Sequence, residues 1–459
     1  LDNTFASRPT VTKGPVVRLR PPAPGSLLTV GNIFTVPHAV AVKGQHFELD
    51  DRVAARETLK PAIPEFVGVA PRSERLVVEV RAGSSGAEIQ LAVDDAANKA
   101  RVLGGAIVHL PAAEYSIDRP LILPENVPVA LVGDGYDSVL RWTGRAGAGP
   151  VLRLRGPSRA RLRDFLVSGP KMVKRVAISP LVDTAIVVED ADQQGGQIGV
   201  WLTRAFGEEN GMLVDGLDQT HVHLVGFEGG PALDGNAAAS AATKNSLAPY
   251  PAIRVFGGSK SLAGKSTNPV VLDGGNTGRF DVANGGALIA RDCWYEHNNY
   301  PIFALLHGTG DLVLDCGRIA RPPERLTGPA LILDDFHGRV TVLNVNGSDN
   351  EKRPLLGFRG DCTGAKVLVL GYDARGSHYM PDPKDSHGAR FAWIICRLHP
   401  NAIDDSAGVD KAFVREMLAL DRRPSVGLID EIPRGATDLQ IRRVATEKAK
   451  TGILIKAAH

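Results

Sequence analysis

The sequence predicts an all-β fold in which short strands stack turn upon turn as a β-solenoid. Three observations predict it. From Gly135 to about residue 375, strands of three to seven residues recur between Gly, Asn, Asp and Pro, with no long helix among them. Strand segments also return at coil-like intervals. Asp292-Cys293-Trp294 and Asp315-Cys316-Gly317 lie 23 residues apart, and Val340-Thr341-Val342-Leu343 and Val367-Leu368-Val369-Leu370 lie 27 apart. Finally, 50 glycines and 31 prolines in 459 residues are too many for a helical chain and natural for one rich in turns.

The elements follow in order. Pro21-Pro22-Ala23-Pro24-Gly25 can neither continue a helix nor sit in a central strand, so residues 1–80 read as an N-terminal arm with short strands. Leu28-Val30, Ala39-Val42 and Arg75-Val80 are its apolar pieces. A helix is predicted from Ala87 to about Val102. Ile89, Ala92, Val93, Ala96, Ala97 and Ala100 share one face, Ser84 and Ser85 can cap it, and Gly104-Gly105 stops it. Strands follow at Ala106-Leu110, Pro120-Leu123 and Val127-Val132, then a turn at Gly133-Asp134-Gly135. Further strands are expected at Val151-Leu154, Ala185-Val188, Gly199-Leu202, Met212-Val214, His221-Val225, Val270-Leu272, Leu288-Ala290, Leu312-Leu314, Leu331-Leu333, Val340-Leu343 and Lys366-Leu370. Near the end Val409, Phe413, Met417 and Leu420 recur at helical spacing, and Asp438 to Ala449 reads as a second helix. The expected division is an arm over 1–80, a stack over 81–400 and a helical tail or cap over 401–459.

Composition bounds the function. Lysine plus arginine is 53 and aspartate plus glutamate 51, a net charge of +2, so no strong field selects nucleic acid or an acidic membrane surface. Hydrophobic residues at 43% and charged residues at 23% argue against disorder. No apolar run approaches the roughly 20 residues that span a bilayer. Four cysteines, none in a CxxC pair, suit neither a disulfide scaffold nor a zinc ribbon. No P-loop, dinucleotide fingerprint or Gly-x-Ser-x-Gly elbow is present. No signal peptide is legible, and an opening at Leu1 is what a processed or truncated precursor would give.

One stretch carries a family resemblance. Ile89-Gln90, Ala92-Val93-Asp94, Ala96, Gly104 to Pro111, Tyr115, Ile117, Pro120 to Pro124, Val127 and Gly133-Asp134-Gly135 resemble the opening coil of the pectate-lyase superfamily. The likeness covers about 50 residues, roughly a tenth of the chain. It departs from the family at Ala113, where glycine is usual. It implies a right-handed parallel β-helix whose N-terminal helix caps the open end of the stack, because a bare first coil would expose apolar surface and strand edges. It also implies a secreted, periplasmic or cell-surface setting and an extended polysaccharide as ligand, an analogy at the level of fold.

The chemistry is sought on that scaffold. Pectate lyases bind calcium through aspartates and use a basic residue to take the proton α to a uronate carboxylate. Trp294-Tyr295-Glu296-His297 approximates one family's W-x-D-H segment, and Arg321-Pro322-Pro323-Glu324-Arg325 its R-x-P-x-x-R segment, one residue short. The hydrolase R-I-K segment appears only as Arg318-Ile319-Ala320, without its lysine. The repeat at 23 residues would put Asp292 above Asp315 at about 4.8 Å. Two carboxylates so close share a proton or a cation. Calcium would need further oxygens such as Glu296; alternatively the pair would flank a glycosidic bond as acid and base or nucleophile. In the plainer reading both are solvated turn residues paired with Arg291 and Arg318. Cys293 and Cys316 would stack beside them as a thiol ladder.

The expected catalytic residues are therefore Asp292, Glu296, His297, Asp315 and Arg318, with Trp294, Tyr295 and Arg321 binding substrate. His221 and His223 face one side of a strand and could start a metal site. The leading expectation is a polysaccharide lyase or glycoside hydrolase with calcium as the one candidate cofactor. Its rival is a non-catalytic polysaccharide-binding module of tailspike or adhesin type. The expected assembly is a monomer or homotrimer.

Overall fold

The structure, a computed structural model, describes residues 4–5, 17–19, 25–37, 40–42, 44–55, 58, 76–145, 148–156, 159–169, 184–190, 198–201, 212–215, 222–229, 253–256, 270–277, 280–283, 285–295, 304–319, 329–346, 354–371, 383–394, 410–418, 439–447 and 451–457. Among these the chain is mostly β, with parallel pairing throughout and two α-helices. Two long sheets, of 17 and 10 strands, hold most of it. The chain alternates between them: Ala304–Gly308 in the shorter, Gly310–Asp315 in the longer, Leu331–Phe336 back in the shorter, Arg339–Leu343 in the longer. Between residues 270 and 394 each main strand pairs with its counterpart one turn later. Successive partners Leu288, Leu312, Val340 and Val367 lie 24, 28 and 27 residues apart. The expected strands at Leu312-Leu314, Leu331-Leu333, Val340-Leu343 and Lys366-Leu370 all fall on observed ones.

The helix Gly86–Leu103 forms for the reasons its sequence offers. Ser85 Oγ accepts the Glu88 N–H at 3.3 Å while Glu88 Oε2 accepts the Ser85 N–H at 2.7 Å, a reciprocal cap. Gly104, at φ +79°, ends it in the left-handed conformation. Ile89, Val93, Ala96, Ala97 and Ala100 are buried and join the main core. That core continues through the inward positions of both sheets, from Val108 and Leu110 to Val367 and Val369. Alternation along each strand supplies it: Ala106, Val108 and Leu110 are buried while Ile107 and His109 are partly exposed.

A second core lies outside the stack. Leu343, Leu368 and Leu370 point outward and are covered by Phe413, Val414 and Met417 of the helix Lys411–Leu418 and by Val30, Phe47 and Leu49 of the paired strands Gly25–Val30 and Gly44–Leu49. Arg415 clasps Asp50 at 2.7 Å, and Lys411 Nζ donates to the Glu48 carbonyl at 2.6 Å. Lys366 pairs with Glu416, and Arg390 with Asp410 at 2.7 Å.

One expected element is corrected. The segment read as a helix over 438–449 contains the strand Leu439–Glu447, which pairs with Arg161–Ser168. Leu439 and Ile441 alternate with polar neighbours, and a period of two prevailed over the period of 3.6.

Candidate functional site

One bend repeats on successive turns of the longer sheet, just after the strands Gly286–Arg291, Gly310–Asp315, Arg339–Leu343 and Lys366–Leu370. A left-handed residue opens the bend on each turn, at Gly274 (φ +66°), Asp292 (+51°), Cys316 (+57°), Asn344 (+49°) and Gly371 (+68°), and on two of them the next glycine, Gly275 (+113°) or Gly317 (+101°), is left-handed too. Each leans on the next turn. The Asp292 N–H donates to the Asp315 carbonyl at 3.0 Å, Cys316 to Leu343 at 2.8 Å and Asn344 to Leu370 at 2.9 Å. The following residue turns inward, and Cys293 and Val345 are fully buried. The residue after that comes back to the surface, where Trp294, Arg318 and Asn346 stand in register on three consecutive turns, beside the backbone of Asn276.

This register overturns the expected carboxylate stack. Asp292 occupies the same place as Cys316, not Asp315, because both are the left-handed residue that opens the bend of their turn. The repeat here is 24 residues, and a slip of one changes which face a side chain takes. Asp315 instead stands opposite Arg291, which itself lies 3.8 Å from Asp273 across the next turn. The expected thiol ladder is lost for the same reason: Cys293 is inward while Cys316 sits at the bend. Among the described cysteines none is disulfide-bonded. Burial, with the charges of Asp315 and Asp292, pushes the Cys316 thiol up to about 11, so it stays protonated at neutral pH.

What the register does assemble is a binding surface. The Trp294 side chain is 46% exposed, and the Arg318 guanidinium lies 5.0 Å from its ring centroid. A half-exposed indole offers a flat apolar face, and a guanidinium stacked on it keeps its fork of donors for hydroxyl or carboxylate oxygens. Asn346, on the next turn, is bridged to Arg318 two positions after the left-handed Asn344.

The other expected site residues are not brought into this cluster by anything described. Tyr295 lies in the strand Trp294–Tyr295, opposite Thr277 and Ile319. His223 lies in the strand Val222–Gly229, opposite Gly199 and Val271. Glu296, His297, Arg321 and His221 lie outside the described residues. Among the described residues no group of three or more His, Cys, Asp or Glu side chains is placed to hold a metal ion, and no helix is long and apolar enough to cross a membrane.

No family model matches the chain, and no curated protein matches it. Among solved structures, ORF18 of Geobacillus virus E2 is similar at 10% identity and a TM-score of 0.29, over 70% of this chain and 61% of that one. This chain thus spans less than two thirds of that protein's length, and a likeness so slight carries no argument.

Proposed function

We propose that this chain is a right-handed parallel β-helix that binds an extended polysaccharide along its outer surface without cleaving it. On this reading the helix Gly86–Leu103 caps the first coil, the helix Lys411–Leu418 belongs to a small C-terminal region braced on the far coils, and Trp294 with Arg318 forms a sugar subsite beside the repeated bend. The observation that carries it is the half-exposed Trp294 ring under the Arg318 guanidinium, on adjacent turns of a surface that repeats every inter-strand spacing of about 4.8 Å. A repeating surface suits a repeating polymer. Cleavage is the second reading, because the register sets Asp315 opposite Arg291 and not in the stacked position with Asp292 that the expected pair required.

The test is affinity electrophoresis of the protein through uronate-containing and neutral polysaccharides. Ultraviolet absorbance and reducing ends are followed in parallel, with and without a calcium chelator. The expected result is retardation by one polymer class with neither signal. New reducing ends would overturn the non-cleaving reading. With absorbance they would indicate β-elimination, and loss on chelation would bring calcium back as cofactor. Retention of no polymer at all would overturn the polysaccharide assignment itself.

A further inference from the structure

We propose that Glu79, His109 and Asp134 form a proton-operated latch that holds the strand Leu76–Glu79 on the stack while His109 is protonated and releases it as the pH rises and the ring becomes neutral. The latch stands at the opposite end of the stack from the clasp of Lys411–Leu418 and is independent of any ligand. His109 occupies an outward position of Ala106–Leu110, in register with Glu79 on one side and Val132 on the other. Its Nδ1 lies 2.6 Å from Glu79 Oε2, and its Nε2 lies 2.9 Å from Asp134 Oδ1. Carboxylates only accept hydrogen bonds, so both ring nitrogens must donate, and a ring with two N–H groups is the imidazolium cation. One charge therefore ties three consecutive turns.

The two carboxylates are not held equally. Asp134 Oδ2 accepts the Ala112 N–H at 3.1 Å, and its own N–H donates to Ser138 Oγ at 2.9 Å, which in turn donates to the Leu110 carbonyl at 2.8 Å. Glu79 rides at the end of a four-residue strand whose backbone ties run to Ala106–His109, with Val80 N–H on the His109 carbonyl at 3.0 Å. The other groups nearby do not compete. Tyr115 donates its hydroxyl to the Pro111 carbonyl at 2.6 Å, and burial with the two carboxylate charges pushes its pKa up to about 12. At the start of the helix Gly86–Leu103, Glu88 is engaged with Ser85 and lies 3.6 Å from Arg81.

Partial burial is the largest single influence on His109 and pulls its pKa down. The hydrogen bonds and charges of Asp134 and Glu79 together outweigh it, and the net direction is upward. The sign follows: a group raised on folding contributes in full below its unfolded value of about 6.5 and loses that contribution as pH rises through the folded value. Once the ring is neutral, one nitrogen presents a bare lone pair to a carboxylate, and two negative charges face an uncharged spacer. Asp134 is fixed by the backbone, so the Glu79 side yields.

Hydrogen exchange of the full chain from pH 5.5 to 9.5, with each rate corrected for intrinsic exchange, tests this. The amides of residues 76–80 should lose protection as the pH rises, while those of Arg339–Leu343 stay constant. His109→Gln should show low protection at 76–80 throughout. Should that variant fail to fold, Glu79→Gln serves, because its amide can accept from or donate to the ring and should hold the strand equally at both ends of the range. Wild-type protection that does not change with pH, or a pH dependence that persists in Glu79→Gln, would overturn the latch.

Discussion

Two tight bends recur among the described turns of the stack, and they are built on different demands. At the bend of Gly274, Asp292, Cys316, Asn344 and Gly371 the demand is conformational: every one of these residues has positive φ. Space is open at Gly274, where an added Cβ meets nothing within 4 Å. At the bend of Gly286, Gly310 and Gly338 the demand is for room. A Cβ on Gly286 would fall 2.5 Å from the Val255 carbonyl oxygen, and one on Gly310 would fall 2.6 Å from that of Gly286. One on Gly338 would come closer still to Gly310. The first bend therefore tolerates side chains at a modest cost and presents Asp, Cys and Asn. The second keeps glycine at Gly286, Gly310 and Gly338 and admits nothing larger than alanine on the next turns, at Ala365 and Ala389. The exposed Trp294–Arg318 pair adjoins the first bend, whose constraint is angular.

The comparison can be broken most sharply at the crowded bend. Gly310→Ala should lower stability on the order of 3 kcal/mol, because it meets a carbonyl and must also hold φ near +151°; chemical denaturation measures it. A loss below about 1 kcal/mol would mean the turns can part to make room. At the permissive bend the large effect should fall on ligand rather than fold. Trp294→Ala should weaken polysaccharide binding by about tenfold or more, with the thermal midpoint nearly unchanged. Arg318→Ala should cost less, about 0.5–1 kcal/mol of binding, in keeping with an exposed cation–π contact. Gly274→Ala has space but the wrong φ and should cost about 1 kcal/mol of stability. The smallest effect belongs to Cys316→Gly, where relief of the left-handed backbone and added freedom of the unfolded chain nearly cancel, within about 1 kcal/mol.

The strands and the first helix were legible because their signals are local. The face of Ile89, Val93, Ala96 and Ala100 with Ser85 and Gly104 at its ends needs no tertiary information, and the 27-residue step from Val340 to Val367 is the observed register. The register of Asp292 and Asp315 was misjudged by one residue. The Asp-Cys pairs at 292–293 and 315–316 look like one repeat, but turns align by backbone conformation, and the left-handed residues that open the bend are Asp292 and Cys316. Letters alone do not reveal a left-handed cysteine, although Gly317 directly after it was a cue that the bend had begun. His109 was seen only as part of a strand. Its partners, Glu79 and Asp134, lie 30 and 25 residues away and meet it only after the coils stack.

The clasp of Arg415 on Asp50 and Lys411 on Glu48 has a consequence for the order of events. Stacked turns touch their neighbours, so they can zip up one after another as the chain emerges from the ribosome. The clasp joins positions 363 and 365 residues apart. Before the helix Lys411–Leu418 has been synthesised, only the strands Gly25–Val30 and Gly44–Leu49 are at hand to cover Leu343, Leu368 and Leu370, and the side of the patch taken by Phe413, Val414 and Met417 stays open. A nascent chain thus carries a partly uncovered apolar patch until that helix arrives to close it.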